Sequence, residues 1–183
     1  MGVLKTSAPL VNKVDLPAYK VIENPKDKDI SQLIQYLENA KQPLILAGAG
    51  INHSQSNELL TQFVTKHQIP VATTLLGLGA IPYDNPLFLG MGGMHGSYAS
   101  NMALTECDLL INLGSRFDDR LASNPNEFAP HATVVHVDID ESEINKVIST
   151  DLGIVADCKK VLEALSQRFT NKTCLLYTSP SPR

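Results

Sequence analysis

The sequence from Leu109 to Arg120, LLINLGSRFDDR, joins an apolar run to a glycine and to two arginines that bracket two aspartates. The run 109–113 predicts a strand that is buried on both faces, as in a parallel sheet. Gly114 ends this strand and lets another molecule approach the backbone closely. Arg116 and Arg120 then place cations at the strand's carboxyl end, where ligands bind in open α/β sheets. Because guanidinium groups suit phosphate, the segment indicates a nucleotide-type ligand.

Strand and helix patterns alternate on both sides of this segment. Strands are predicted at 43–47, 69–73, 109–113, 133–137 and 153–156, and helices around 30–37, 59–64, 97–105, 144–148 and 157–168. Ser97, Asp140 and Asp157 are the predicted N-caps of the last three helices. A long loop is predicted over 74–96, and such loops are usually functional. The pattern predicts an α/β domain with a doubly wound, mainly parallel, Rossmann-like sheet.

Composition excludes several classes of protein. The chain has 183 residues, 43% of them hydrophobic, which suits one domain. A net charge of −4 argues against a nucleic-acid partner. Cys107, Cys158 and Cys174 lack metal-ligand spacing, and an odd number fits a reducing, cytoplasmic setting. The cysteine spacing therefore gives no reason to expect a metal site. No apolar run is long enough to cross a bilayer, so we expect no membrane partner.

The chain divides into three predicted parts. Residues 1–27 carry Pro9, Pro17 and Pro25 without sustained periodicity, so they are predicted to be an interdomain linker or arm. Residues 28–170 form the domain. Residues 171–183, which end in SPSPR, break the pattern, so we expect a non-native or truncated tail there.

Two glycine-rich segments are candidate anion sites. Gly48-Ala49-Gly50 lies at a strand–turn–helix junction like a dinucleotide fingerprint, but His53 replaces the third glycine, so an ordinary tight turn remains an alternative. The segment 90–97, GMGGMHGS, opens a predicted helix, whose N-terminus attracts anions. His95 has no evident nucleophile or metal ligand beside it, which leaves a binding role rather than catalysis.

Acidic residues follow two of the predicted strands. Asp138 can bind ribose hydroxyls at a strand end, whereas Asp140 can either do the same or simply cap the next helix. Asp118 and Asp119 are adjacent and are expected to face different ways, with ion pairs to the neighbouring arginines as the simplest role. No nucleophile with an adjacent base is evident, so the sequence predicts a binding domain without a catalytic centre of its own.

Five segments in order carry a closer resemblance. LILAGAG, TTLLGLGAIP, GMGGMHGS, NLGSRFDDR and VHVDIDESEI, within about 42–168, resemble the central domain of the acetolactate synthase (acetohydroxyacid synthase) large subunit, a thiamine-diphosphate enzyme. The resemblance implies a DHS-like NAD/FAD-binding domain that holds FAD mainly as a structural cofactor. Flavin-free relatives lack the RFDDR segment, which favours the FAD-binding branch here.

The resemblance also implies what the rest of such a subunit does. Its first domain supplies the glutamate that activates thiamine diphosphate, and its third binds the diphosphate and Mg²⁺. The whole enzyme condenses two pyruvates, or pyruvate with 2-ketobutyrate, in branched-chain amino-acid biosynthesis. Self-association and a regulatory small subunit are the implied partners. Because neither outer domain's motifs occur in this chain, we expect it to be inactive alone.

The resemblance carries FAD contacts onto particular residues of this chain. They are Gly48, Ala49 and Gly50 at the first turn; Thr74, Leu75 and Leu76 after the second strand; Gly93, Met94 and His95 beside the flavin; Gly114, Arg116, Asp118 and Arg120 near the phosphates; and Asp138, Ile139, Asp140, Glu143 and Asp157 toward the adenosine. No residue is assigned a catalytic or metal-binding role.

Three alternatives stay open or are excluded on the sequence. The domain could belong to another thiamine-diphosphate carboligase, decarboxylase or oxidase, because the discriminating parts lie in other domains. It could also be a stand-alone nucleotide-binding module without an enzymatic parent. An NAD-dependent deacylase would need a zinc module, which the cysteine spacing excludes.

Overall fold

The computed structural model describes residues 23–118, 120–122 and 124–170. The helices are α1 (Asp27–Asn39), α2 (Ala49–His53), α3 (Asn57–His67), α4 (Tyr98–Glu106) and α5 (Cys158–Arg168). The strands are β1 (Pro43–Ala47), β2 (Val71–Thr73), β3 (Phe88–Met91), β4 (Leu109–Leu113), β5 (Thr133–Asp138) and β6 (Leu152–Val155). The predicted tail, most of the predicted arm, Asp119 and Cys174 lie outside the described residues.

The six strands form one parallel sheet in the order β3-β2-β1-β4-β5-β6. The chain first builds outward from β1 through β2 and β3. It then returns to the other side of β1 and adds β4, β5 and β6. The direction of winding therefore reverses between β1 and β4, which is where doubly wound sheets bind ligands. The predicted fold class is confirmed.

Each face of the sheet packs on a separate apolar cluster. Helices α1, α3 and α5 cover one face, with Leu33 and Phe63 among the buried residues. Helix α4 and the buried residues Phe117, Ala122 and Ala129 cover the other face, where Leu104 is also buried. Because successive strand residues point to opposite faces, strands covered on both sides are buried throughout, as the sequence predicts for β1 and β4.

Predicted and observed elements agree closely in most of the chain. The strands predicted at 43–47 and 109–113 coincide with β1 and β4. Two predicted N-caps are confirmed: the Ser97 hydroxyl accepts a hydrogen bond from the N–H of Ser100, and the Asp157 carboxylate accepts one from Lys159. These caps orient the starts of α4 and α5 beside the carboxyl ends of β3 and β6.

The predicted loop over 74–96 is wrong in two places. Residues Leu75–Gly77 form a 3₁₀ turn, and Phe88–Met91 form the edge strand β3. Gly90 has a φ of +105°, which side-chain-bearing residues rarely adopt, and the pairing of β3 with β2 shifts register nearby. Strand β3 is not predicted because it has only four residues and one of them is a glycine, which is uncommon inside strands.

The predicted helix over 144–148 is also wrong. Only a 3₁₀ turn, Glu141–Glu143, follows Asp140, whose carboxylate caps it. Asn145 has a left-handed φ of +59°, and its side-chain oxygen accepts hydrogen bonds from the N–H and hydroxyl of Thr150. This local bonding competes with helix formation, as asparagine commonly does.

None of the helices in the described part of the chain combines the length and apolar character that crossing a lipid bilayer requires.

Candidate functional site

The predicted ligand residues all lie at one edge of the sheet. Each is the last residue of a strand or follows the end of a strand within seven residues, and the carboxyl ends of parallel strands share an edge. This arrangement places segments that are far apart in the chain, from residues 48–50 to Asp157, at the same edge of the sheet. The edge therefore presents every segment that the sequence singled out as a possible binding element.

Three backbone hydrogen bonds join the strand ends at the winding reversal. The N–H of Gly48 donates to the carbonyl of Leu113 at 2.9 Å, and that of Gly50 donates to the carbonyl of Gly114 at 2.9 Å. The N–H of Gly114 donates to Val137 at 2.8 Å. The turns after β1 and β4 and the end of β5 are therefore one hydrogen-bonded unit.

Glycine is required where these turns touch. A Cβ on Gly114 would lie 2.6 Å from the Cα of Gly50, and a Cβ on Gly50 would lie 2.7 Å from the Cα of Gly114. Gly114 also has a φ of +63°. A Cβ on Gly48 would overlap the side chain of Ser115. The sequence predicts that Gly114 lets another molecule approach its backbone closely. In the structure, the neighbouring turn at Gly50 makes such a close approach.

A cleft of about 370 Å³ opens beside this unit. Its lining comes from the turn after β1, the end of β5 and the start of α5, and comprises Ala49, Gly50, His53, Ser54, Gly114, Asp138, Ile139, Asp157 and Cys158. Six of the predicted ligand residues are in that set. His53, which replaces the third fingerprint glycine, lies in the cleft wall and was not predicted as a contact.

Two carboxylates border the cleft in different settings. Asp157 caps α5, and its own N–H donates to the carbonyl of Glu23 at 2.9 Å. Asp138 accepts a hydrogen bond from the N–H of Asp140 and lies 3.8 Å from Nε2 of His136. Neither carboxylate forms an ion pair with Lys or Arg within the described residues. Both keep acceptor capacity for hydroxyl or amino groups of a ligand.

The two arginines of the opening segment are exposed. The salt bridges of the described residues include neither Arg116 nor Arg120, so the predicted pairing of these arginines with Asp118 is wrong. The Asp118 carboxylate instead accepts a hydrogen bond from the N–H of Leu121, and this local contact shapes the turn. Pairing with Asp119 concerns a residue outside the described part. Among the described residues, no carboxylate forms an ion pair with either guanidinium group, and both are available to an anion.

The glycine-rich segment after β3 docks against the arginine segment. The N–H of Met94 donates to the carbonyl of Arg120 at 3.0 Å, and a Cβ on Gly93 would lie 2.7 Å from the same oxygen. Asn101 of α4 holds Gly93 from the other side, because its amide accepts from the N–H and donates to the carbonyl of Gly93. Asn101 carries no recognisable sequence signal, and only its contact reveals its role.

The turn after β2 is held in a similar way. Asn52 donates from its amide to the carbonyls of Leu76 and Leu78, and Asn57 donates to Asn52. Thr74 joins the turn to β1, since its N–H donates to Ala47. The side chain of Leu76 is 70% exposed. The turn therefore presents apolar surface at the ligand edge from a fixed backbone.

Other predicted contacts are not brought into the cleft lining. Asp140 is used in capping its 3₁₀ turn, and the hydrogen bond from Ser142 lowers the pKa of its carboxyl. Glu143 forms an ion pair with Lys146 at 2.7 Å. His95 and Met94 lie in the loop that follows β3, and both are exposed to solvent; 68% of the surface of Met94 is accessible.

A buried polar cluster lies beneath the arginine segment. The carbonyl of Ser115 accepts from the Asn112 amide at 2.7 Å and contacts Nε2 of His136 at 3.0 Å, while the Ser115 hydroxyl donates to the Asn112 side-chain oxygen. Burial lowers the pKa of His136, with Asp138 and Glu143 opposing that effect. Sequence reasoning missed this cluster, because Asn112 and His136 are single polar residues inside apolar strands.

The described residues contain neither a metal cluster nor an activated thiol. No group of His, Cys, Asp and Glu there could hold a metal ion. Burial raises the pKa of Cys107 and of Cys158 to about 12, so both remain protonated thiols near neutral pH. A larger cavity of about 590 Å³ between α3 and residues 78–88 contains none of the predicted ligand residues.

Comparison with known proteins gives the class to which this fold and edge belong. Residues 30–165 match the model of the thiamine pyrophosphate enzyme central domain, and the chain belongs to that family. Within that family, this chain is similar to acetolactate synthase large subunits. Those of Lactococcus lactis subsp. lactis and Escherichia coli K12 (isozyme 2) are 51% and 41% identical over 84% and 82% of this chain. A probable large subunit of Methanocaldococcus jannaschii is 45% identical over 86%. The chain spans 27%, 28% and 27% of these three relatives.

Proposed function

We propose that the carboxyl edge of the sheet binds FAD. The observation that carries this proposal is the contact of the turns after β1 and β4, where Gly50 and Gly114 leave no room for a Cβ and border a cleft. The exposed Arg116 follows Gly114 by two residues, and the carboxylates of Asp138 and Asp157 line the cleft. A phosphate group with a ribose attached matches that order of charges.

Residues at this edge can be assigned to the diphosphate, the ribose and the flavin ring of FAD. Arg116 and Arg120 would neutralise the diphosphate through charge-assisted hydrogen bonds. Asp138 and Asp157 would accept hydrogen bonds from the ribose hydroxyls. The exposed side chains of Leu76 and Met94 would cover the apolar flavin ring. Gly48, Ala49, Thr74, Leu75, Gly93, His95, Asp118, Ile139, Asp140 and Glu143 complete the proposed contacts.

We further propose that the chain works as the central, cofactor-holding part of an acetolactate synthase large subunit, with residues 28–170 as the domain and 1–27 as a linker. FAD in this role supplies structural support rather than net redox chemistry. The condensation of two pyruvates, or of pyruvate with 2-ketobutyrate, would depend on thiamine diphosphate and Mg²⁺ bound by other domains. Family membership and the 41–51% identity to named large subunits support this proposal.

The expected partners follow from the same relatives. We propose self-association of the whole subunit and association with a regulatory small subunit, since the relatives are named large subunits. A net charge of −4 supports the absence of a nucleic-acid partner. The two buried free thiols, Cys107 and Cys158, support a reducing, cytoplasmic setting.

A titration of the 183-residue chain with FAD tests the cofactor proposal. Flavin fluorescence would follow binding, and circular dichroism would establish that the protein is folded. We expect saturable binding, competition by ADP, and no competition by FMN at the same concentration, because FMN lacks the adenosine that the carboxylates would hold. A folded chain that does not bind FAD at concentrations far above micromolar would overturn the proposal.

A second assay tests the claim that the chain is inactive alone. The purified chain would be incubated with pyruvate, thiamine diphosphate, Mg²⁺ and FAD, and acetolactate would be measured. We expect no product above the protein-free control. Product formation that depends on this chain would contradict the assignment of the chemistry to other domains.

A further inference from the structure

The buried cluster of Asn112, Ser115 and His136 has no role in the proposed contacts, yet it adjoins them. Asn112 and His136 are both fully buried, and their backbones lie opposite each other in the pairing of β4 with β5. Polar side chains in an apolar interior are unfavourable unless their hydrogen bonds are satisfied. Both of these side chains direct an N–H group at one acceptor, the carbonyl oxygen of Ser115.

Two donors occupy both lone pairs of that carbonyl. Asn112 donates at 2.7 Å, and Nε2 of His136 lies at 3.0 Å, so Nε2 carries the hydrogen in the neutral imidazole that burial favours. The ring of His136 is itself held by Phe117, whose ring centroid is 5.0 Å away in an edge-on arrangement. The Ser115 carbonyl is therefore positioned by Asn112 on β4 and by His136 on β5, and Phe117, in the segment after β4, packs against the ring of His136.

Fixing this carbonyl fixes the peptide plane between Ser115 and Arg116. In a trans peptide the C=O and N–H groups point in opposite directions. Because the Ser115 oxygen is directed into the buried cluster, the N–H of Arg116 is directed away from it. That N–H has no hydrogen-bond acceptor among residues 23–118, 120–122 and 124–170. It remains available to an acceptor outside the cluster.

We propose that Asn112 and His136 are positioning residues, which hold the Ser115 carbonyl so that the backbone from Gly114 to Arg116 is preset to receive the FAD diphosphate. The inference rests on the proposed function, because it assigns a support to the same strand ends. The two side chains act through Ser115 and do not themselves reach the ligand. Presetting the backbone reduces the conformational entropy that binding would otherwise cost.

The test compares variants of the full chain by amide NMR and by FAD titration. His136→Phe keeps an aromatic ring but removes the donor to Ser115. We expect shifted amide resonances at Gly114 and Arg116 and FAD binding about tenfold weaker, with a folded spectrum elsewhere. His136→Gln, whose amide can donate to the same carbonyl, should restore both readouts to within about threefold of wild type.

A matched control is available on the opposite face of the sheet. His67 is also fully buried, its ring lies between those of Phe63 and Phe169, and it ends α3, which leads to the amino end of β2 rather than to the carboxyl edge of the sheet. His67→Phe should leave the Gly114 and Arg116 resonances and FAD affinity unchanged, whatever it does to stability. An equal loss of affinity in this control would show a general stability effect and overturn the proposal.

Asn112→Leu supplies an independent test if His136→Phe does not fold. It removes the second donor, and we expect the same amide shifts and weaker FAD binding. Unchanged Gly114 and Arg116 resonances in the folded variants would overturn the positioning role. A wild-type chain that binds no FAD would overturn the proposed function, whereas the amide resonances would still decide whether the cluster sets the turn.

Discussion

The N–H of Gly50 donates a 2.9 Å hydrogen bond to the carbonyl oxygen of Gly114, and this bond joins the turns that follow the two central strands of the sheet. The two turns can approach this closely because neither residue has a side chain. Since β1 and β4 flank the point at which winding reverses, the geometry of this pair determines the shape of the proposed FAD site.

The substitution Gly114→Ala should disrupt this contact. Alanine at a φ of +63° costs about 1–2 kcal/mol in backbone strain, and its Cβ would lie 2.6 Å from the Cα of Gly50, which adds an overpacking cost of about 1–3 kcal/mol. We expect the free energy of unfolding to fall by the sum, measured by urea denaturation. Gly79→Ala is the control, because Gly79 has a φ of +89° but no atom within 4 Å of an added Cβ. Equal losses in the two variants would show that close approach is unimportant.

The substitution Arg116→Ala should weaken FAD binding without unfolding the chain. The guanidinium is exposed and makes no ion pair in the described part of the chain, so its loss removes an attraction to the diphosphate rather than a structural contact. We expect a loss of about 1.5–3 kcal/mol in binding free energy, measured by fluorescence titration. Arg168→Ala, which removes a guanidinium paired with Asp27 on α1, should leave FAD affinity unchanged. Unaltered affinity in Arg116→Ala would remove this arginine from the site.

The stability of the chain should depend on the protonation of His136. Burial lowers the pKa of His136 from its ordinary 6.5 in the folded chain, whereas the unfolded chain keeps the ordinary value. Below pH 6.5 the unfolded state therefore binds more protons than the folded state. The contribution of neutral His136 to the free energy of unfolding is fully present above pH 6.5 and is lost as pH falls from there through the pKa of the folded chain. The slope that one titrating group contributes cannot exceed about 1.4 kcal/mol per pH unit. Urea denaturation at several pH values would show a shallower decline in His136→Gln, and identical slopes would contradict this account.

The two buried thiols should resist alkylation in the folded chain. Burial raises the pKa of Cys107 and of Cys158 to about 12, which leaves roughly one thiolate in ten thousand near pH 8. A Cys174→Ser variant isolates these two, and mass spectrometry after iodoacetamide treatment would count the labels. We expect little labelling without denaturant and two labels in urea. Rapid native labelling of Cys158 would mean that the cleft beside it opens in solution.

Much of the candidate site could be anticipated from local sequence. Glycines after apolar runs marked the turns at 48–50 and 114, and the arginine segment followed its strand directly. These signals are local because turn chemistry and strand burial each depend on a few adjacent residues. The contacts of Asn101 with Gly93, and of Asn52 with Leu76 and Leu78, join residues that lie on different elements, so no local pattern reports them.

The two wrong elements have a common physical origin. Helix spacing over 144–148 competes with an asparagine that adopts a left-handed conformation and bonds to Thr150. The strand at 88–91 contains a glycine and depends on pairing with β2 at the sheet edge. In both places, hydrogen bonds within or beyond the segment outweigh the intrinsic preference that a pattern measures.

Local sequence is sufficient to predict the alternation of strands and helices, the parallel sheet, and the residues that follow each strand, because burial and turn formation depend on short stretches of chain. Three relationships emerge only in the folded chain. The turns after β1 and β4 touch at Gly50 and Gly114, six of the predicted contacts line one cleft, and His136 and Asn112 share the Ser115 carbonyl. Those relationships depend on strand order and register, which bring together residues far apart in sequence.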